Sequence, residues 1–411
     1  MTELRRDADT IVKAAITAAL PDAAVKKALE GRMFGPGKVR LVAVGKGAWQ
    51  MAFTASDILK ERIEAGVVVT KYGHSKGAIS NFDIYEAGHP VPDQNSFDAT
   101  EAALDLVRDL TADDTVLFLL SGGGSALFEK PLVPAADLED LTRQLLACGA
   151  DIVEINTLRK RLSAVKGGRF AQICAPAHVV SIVLSDILGD PLDMIASGPA
   201  YPDSSTCAQA RAIVKKYGLR LTPIMEQLLE EETPKALNNV ETQVTGSVRQ
   251  LCTAASAACR KLGYEPVVLT DCLACEAREA GAVLGSIARY HADADHSMAF
   301  IAGGETVVHL TGKGKGGRNQ ELALAAAPLI AGICGAAVFS VGSDGTDGPT
   351  AAAGGYVDSM TQAVLADQGI SVFDVLAEND AYHALQKCGG LIVTGPTGTN
   401  VNDVAVLLIR R

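Results

Sequence analysis

Charged and glycine-rich clusters recur along this chain where apolar runs end, and their residue types suit the chemistry of anions. Gly45-Lys46-Gly47 follows the apolar run 39–44 and precedes a helical pattern from Ala48. A lysine in such a turn can place its ammonium beside an anion held by a helix N-terminus, and a solvated surface lysine is an equal reading of the turn taken alone. The spacing is not that of a Walker A loop, GxxxxGK[ST]. Ser121-Gly122-Gly123-Gly124-Ser125 follows the run 115–120. Three consecutive glycines cost backbone entropy that an ordinary turn does not require, whereas a nest of amides with two hydroxyls suits phosphate oxygens or a carboxylate. A serine nucleophile elbow needs GxSxG, which is absent here.

Between Asn156 and Arg169 stand Arg159, Lys160, Arg161, Lys166 and Arg169. They read either as a local positive surface or as a solvated helix face closed by a glycine cap at Gly167 or Gly168. The run 179–184 ends in Ser185-Asp186-Ile187-Leu188-Gly189-Asp190-Pro191, with Ala196-Ser197-Gly198-Pro199 shortly after. Aspartates leaving a buried strand suit Mg²⁺ binding or proton abstraction, or simply cap a turn. The second half repeats the theme. Gly303-Gly304-Glu305-Thr306 follows a strand pattern, and Gly312-Lys313-Gly314-Lys315-Gly316-Gly317-Arg318-Asn319-Gln320-Glu321 opens a helical one. Ser343-Asp344-Gly345-Thr346-Asp347-Gly348-Pro349 then offers two more aspartates, and residues 394–403, TGPTGTNVND, supply a hydroxyl-rich loop with Thr397 and Asn400. Basic groups and glycines at a helix start describe a polyphosphate site.

The elements that must position these clusters are short, unbroken apolar runs at 39–44, 66–70, 115–120, 179–184, 266–270, 298–302, 336–341, 391–394 and 404–409. Continuous rather than alternating runs imply sheets covered on both faces. Helical patterns lie between them at 48–59, 97–110, 136–148, 206–217, 247–262, 276–291 and 319–330, so the class is α/β. Open sheets of this class bind ligands outside the carboxyl ends of their strands, which is where the clusters fall. The polar stretch 221–245 reads as a junction, predicting an N-terminal domain over 1–235 and a smaller C-terminal α/β domain over 236–411.

A length of 411 residues accommodates two such domains. Acidic residues outnumber basic ones 48 to 37, for a formal charge of −11, which argues against nucleic acid or an anionic membrane as partner. No apolar run approaches the roughly 18–20 residues needed to cross a bilayer, and the charged N-terminal segment does not resemble a signal peptide. Nine irregularly spaced cysteines read as reduced thiols of a cytoplasmic protein, with Cys272 and Cys275 lacking the second pair that a zinc site needs.

Taken in order, LLSGGGSAL (119–127), KGGR (166–169), LSDILGDP (184–191), ASGP (196–199), GKGKGGRNQE (312–321), SDGTDGPT (343–350) and TGPTGTNVND (394–403) resemble the class II glycerate kinases. The C-terminal part of that family is called MOFRL, and the likeness runs from about residue 39 to the C-terminus. It implies a Rossmann-like first domain with a mostly parallel sheet, a smaller MOFRL-type α/β domain and an active site in the cleft between them. The implied reaction transfers the γ-phosphoryl group of ATP to D-glycerate with Mg²⁺, most simply giving 2-phosphoglycerate and ADP. The alternative product is 3-phosphoglycerate, and the alternative enzyme is an NAD(P)H-dependent hydroxypyruvate reductase, a label some members have carried. A reductase calls for GxGxxG after the first strand, and Gly45-Lys46-Gly47-Ala48-Trp49-Gln50 lacks the third glycine.

The resemblance points to Lys46 and Arg318 as essential basic residues and places Asp186, Asp190, Asp344 and Asp347 in the family's acidic motifs without fixing a role for each; our reading assigns Asp186 to catalysis and Asp190, Asp344 and Asp347 to the metal. Ser121, Gly122, Gly123, Gly124, Ser125, Lys166, Glu305, Asn319, Thr397 and Asn400 complete the expected contacts to substrate and nucleotide. The chain departs from the family pattern at Ala351, where an aspartate is expected, at Arg161, where a histidine is, and at Cys275, where a glycine is. A monomer or a homodimer is equally compatible with this reading.

Overall fold

The computed structural model describes residues 2–411, and its strands form two six-stranded sheets. The first comprises β1 (Val39–Val44), β2 (Ile63–Lys71), β3 (Phe82–Ala87), β4 (Thr115–Leu120), β5 (His178–Leu184) and β6 (Val240–Gly246). Their order is β3-β2-β1-β4-β5-β6, and the β1–β2, β1–β4, β2–β3 and β4–β5 pairs are all parallel. This is the doubly wound Rossmann order, in which the direction of winding reverses between β1 and β4. Leu41 to Val44 and Val116 to Leu119 are wholly excluded from solvent, as unbroken apolar runs demand of central strands. Val44 stands level with Val69 on one side and Leu120 on the other, so the turns leaving β1 and β4 begin at the same height while β2 runs two residues further.

The second sheet comprises β7 (Glu265–Leu273), β8 (Met298–Gly304), β9 (Ala336–Gly342), β10 (Gly354–Asp358), β11 (Leu391–Ile392) and β12 (Asp403–Ile409), in the order β11-β10-β9-β12-β8-β7. Only β7–β8 is parallel; the other pairs are antiparallel. β12 is buried along its length between β8 and β9. Its first residue, Asp403, lies opposite Gly304 and Gly342, the last residues of those two strands. Register thus delivers Asp403 to the loops carrying Glu305 and Ser343.

The chain divides into two units that do not follow the boundary expected at 235/236. One holds Val25–Ser185 and Asp190–Thr245; the other holds residues 2–24, Asp186–Gly189 and Gly246–Arg411. The expected junction contains β6, which completes the first sheet. The N-terminal helix Glu3–Ala18 belongs with the second sheet because Asp7, on its buried face, accepts from the Tyr264 hydroxyl at 2.6 Å and pairs with Arg410. Three strands escaped the sequence pattern. β3 and β6 are half-exposed and polar, and β10 begins with two glycines.

Candidate active site

In the first unit, the turn after β1 is laced to the turn after β4. The Lys46 amide donates to the Gly122 carbonyl at 2.9 Å, and the Gly47 amide donates to Ser121 Oγ at 3.0 Å. A Cβ on Gly45 would lie 2.3 Å from Ser121 Oγ, so this crossing requires glycine. Ser121 is buried and holds the turn, which makes it a positioning residue rather than the ligand contact expected. Beyond it, the Gly122 and Gly123 amides have no acceptor among the described residues. Gly123 has φ of +90°, and a Cβ there would meet His89 at 3.0 Å and Lys46 Cε at 3.4 Å. Unengaged amides beside a half-buried lysine, at the point where the strand order reverses, are donors of the kind an oxyanion requires.

A buried brace supports this loop. Gly124 packs so closely on the ASGP turn that a Cβ would lie 2.6 Å from that of Ala196. Ala196 and Ser197 adopt φ of 50° and 62°, and their turn is gripped by the Gly167 amide on the Ser197 carbonyl at 3.0 Å and the Gly168 amide on the Gly198 carbonyl at 2.7 Å. Left-handed non-glycine residues cost roughly 1–3 kcal/mol each and persist only where their surroundings over-determine them. Ser125 Oγ lies 3.2 Å from Ser197 Oγ, which donates to Asn156 at 3.0 Å.

The basic run 159–169 is not a positive surface. Lys160 pairs with Asp203 at 3.0 Å, and Arg161 donates to the Thr157 and Ser205 carbonyls and to Ser205 Oγ at 2.8–3.0 Å while facing Glu232. Arg159 approaches Glu129 at 3.6 Å, and Arg169 donates to the Ser163 carbonyl at 2.7 Å. Lys166, expected at the ligand, is fully buried and donates to the Ser125 and Phe128 carbonyls, both at 2.9 Å. Burial pushes its ammonium down to about 8, while Glu129 at 3.4 Å pulls the other way. Lys166 therefore positions the glycine loop from beneath. Asp190, at φ of 51° and half-buried, lies in this unit.

The second unit carries a separate charged group. Arg318 grips Asp403 with two prongs, Nε to Oδ2 at 2.6 Å and Nη2 to Oδ1 at 3.1 Å, and its Nη1 donates to Glu305 at 2.9 Å. Burial opposes the Arg318 charge, but Asp403 and Glu305 outweigh it and raise its pKa; burial likewise raises that of Asp403. Within TGPTGTNVND, Asp403 is marked only as a carboxylate that opens an apolar strand. Asp344 is half-exposed and accepts from the Thr346 amide at 2.9 Å; its carbonyl accepts from the Thr397 amide at 3.2 Å. Thr397 Oγ1 donates to the Ser343 carbonyl at 2.6 Å, and Asn400 is exposed. Asp186 is half-buried, and its carbonyl accepts from Asn402 at 3.1 Å.

Two expected ligands here are structural. Asp347 accepts from the Asn319 and Gln320 amides at 3.1 and 2.9 Å and from both side chains, so its two oxygens cap the helix Arg318–Ile330. Burial raises its pKa to about 6 in spite of those donors. Asn319 is buried between Asp347 and the Ser340 hydroxyl. A metal would have to displace the cap, and Asp347 therefore does not fit the ligand set. Among the described residues no three carboxylate, histidine or cysteine side chains gather as a metal cage. Mg²⁺ ordinarily needs only one or two carboxylates, with water and substrate phosphates completing its shell. The exposed edge of Asp344 fits that requirement.

A Rossmann-ordered unit with an open oxyanion seat, joined in one chain to a mixed-sheet unit presenting a braced arginine, defines a two-unit α/β protein equipped for anionic ligands. A family model described as a domain of unknown function (DUF4147) matches residues 7–230, and that of the MOFRL family matches residues 298–403. The chain is 52% identical to the D-glycerate 2-kinase of Thermotoga maritima, over 99% of this chain and 98% of that protein. It is 40% identical to the glycerate 2-kinase of Pyrococcus horikoshii, over 91% and 88% respectively. The crystal structure of the Thermotoga maritima glycerate kinase matches with a TM-score of 0.95 over 99% of both chains. A protein of Agrobacterium vitis provisionally named hydroxypyruvate reductase is 38% identical over 97% of this chain and 93% of its own. The chain belongs to the class II glycerate kinase family, with its MOFRL domain in the C-terminal part.

Proposed function

We propose that this protein is a glycerate 2-kinase, transferring the γ-phosphoryl group of ATP to D-glycerate to give 2-phosphoglycerate and ADP. The observation that carries the reading is the pair of unengaged amides at Gly122 and Gly123 beside Lys46. Phosphoryl transfer demands positioning and charge neutralisation more than covalent chemistry, and these groups position and neutralise an anionic group of a substrate. The Thermotoga maritima and Pyrococcus horikoshii relatives are named D-glycerate 2-kinase and glycerate 2-kinase. Lys46 neutralises anionic oxygens, and Arg318, oriented by Asp403 and Glu305, acts on the developing charge. Asp186 orients the acceptor hydroxyl or accepts its proton. Mg²⁺, for which Asp344 presents a half-exposed carboxylate, would supply charge neutralisation on the phosphates.

The competing reading is reduction of hydroxypyruvate by NAD(P)H, the activity in the provisional name of the Agrobacterium vitis relative. Against it stands the turn after β1, where Gln50 occupies the place of the third glycine of a dinucleotide fingerprint. Incubation with ATP, Mg²⁺ and D-glycerate followed by phosphorus NMR is expected to yield the 2-phosphate. Turnover of hydroxypyruvate with NAD(P)H and none of glycerate would reverse the assignment; the 3-phosphate would correct the regiochemistry. We further propose that the protein works in the cytoplasm. None of the helices described is long and apolar enough to cross a membrane.

A further inference from the structure

We propose that His89, together with Lys46, binds the carboxylate of the hydroxy-acid substrate over Gly123; the choice of acid rests on the glycerate kinase reading above. Nothing in the sequence pattern marks this histidine, because the strand that delivers it, β3, is polar and half-exposed. The parallel strands β3, β2, β1 and β4 are neighbours in that order. The loops at their carboxyl ends bring His89, His74, Lys46 and the triple-glycine turn together. The point where a Gly123 Cβ would stand is 3.0 Å from His89 Cδ2, 3.1 Å from Nε2 and 3.4 Å from Lys46 Cε. Imidazole and lysine thus flank the glycine whose amide lacks an acceptor. Among the described residues, neither ring nitrogen of His89 has a hydrogen-bond partner.

The surrounding charge favours an anion. Lys46, Lys71 and His74 act on His89, and His74 Nδ1 lies 3.2 Å from the Lys46 carbonyl. The carboxylates of the same loops are engaged elsewhere: Glu86 accepts from the Ser75 amide at 2.9 Å, and Asp93 from the Tyr72 hydroxyl at 2.7 Å and the Ser96 amide at 3.0 Å. Burial, then the nearby cations, lower the pKa of His89 and so favour the neutral ring, which with its proton on Nε2 would donate to an anion without adding charge. One neutral donor, one ammonium and two amides around a glycine form a compact seat matched to a single planar oxyanion. A polyphosphate carries several charges and needs a longer cradle.

Steady-state kinetics of wild type, His89→Ala and His89→Gln test the assignment, with thermal melting to verify folding. His89→Ala is expected to raise KM for D-glycerate about tenfold, the loss of one hydrogen bond to a charged group. KM for ATP should stay near the wild-type value, and His89→Gln, which retains an N–H donor, should recover part of the loss. An unchanged glycerate KM overturns the proposal while leaving the kinase reading intact. A rise confined to the ATP KM also overturns it, assigning the seat to a nucleotide phosphate. Should wild type fail to phosphorylate glycerate, the kinase reading falls by itself. The seat is then tested by NMR of ¹³C-imidazole-labelled protein titrated with D-glycerate, the His89 signal being the one missing from His89→Gln. A shift of that signal supports the seat, and a stationary one overturns it.

Discussion

Residues 121–125 and 312–317 both place runs of glycine between an apolar strand and a helix, and both lie near a lysine, yet their amides meet different fates. In the first loop, Gly122 and Gly123 donate to nothing among the described residues. In the second, the Gly312 amide donates to Asn379 Oδ1 at 2.9 Å, that of Gly314 to the Glu378 carbonyl at 2.7 Å and that of Lys315 to Asp380 at 2.9 Å. The helix that follows has its first amides capped by Asp347. Glycine serves close packing in the second loop, where a Cβ on Gly314 would stand 2.4 Å from Asp380 Cβ, and an open nest in the first. A glycine run therefore announces a close approach of backbone to something, and only the remote partners reveal whether that is protein or ligand.

The largest effect should come from Lys46→Ala, which removes the cation beside the open nest. We expect kcat/KM to fall about 10³-fold with the melting temperature unmoved, and near-normal turnover would erase the functional contrast between the loops. Next is the pH dependence of the cap on the second loop's helix. The Asp347 pKa is raised to about 6 in the folded protein, so its contribution to stability is fully present below the ordinary carboxylate pKa and lost as pH rises through about 6. The change is at most about 3 kcal/mol. Urea unfolding of wild type and Asp347→Asn across pH 4–7 should show a shallower dependence in the variant; parallel profiles would mean the cap is insensitive to its charge.

Gly314→Ala should destabilise by about 2 kcal/mol through overpacking, while the folded fraction keeps its kcat. A loss of activity at unchanged stability would make the second loop a ligand site after all. Gly123→Ala, the smallest change in stability, should cost about 1 kcal/mol for its left-handed backbone. It should nevertheless lower kcat/KM about tenfold, because the new methyl group enters the space between His89 and Lys46. Equal effects on folding and catalysis at the two glycines would dissolve the comparison.

Much of the first sheet was legible because β1, β2, β4 and β5 are buried and continuously apolar. β3 and β6 were not, since an edge position leaves half of each strand exposed and its side chains polar. The loss of β3 concealed His89, and the loss of β6 displaced the expected domain boundary. The basic run 159–169 misled for a related reason: Glu129, Asp193, Asp203 and Glu232, which partner it, lie far away in sequence. Charge in a sequence window does not distinguish a cation facing water from one cross-linking the interior.

What the sequence determined by itself was the set of strand ends where chemistry is possible, because burial of a parallel sheet forces its strands into continuous apolar runs and ejects polar residues at their termini. Lys46 and the triple-glycine turn were visible on that ground, and Arg318 as a basic residue that opens a helix after a glycine-rich run. The tertiary structure decided which of those groups remain available. Lys166 and Asp347 have the same residue types as neighbours that face solvent, but they are consumed by the Ser125 and Phe128 carbonyls and by the Asn319 and Gln320 amides. Buried polar groups must find partners, and those partners are assigned by strand order and register, which bring together residues distant along the chain.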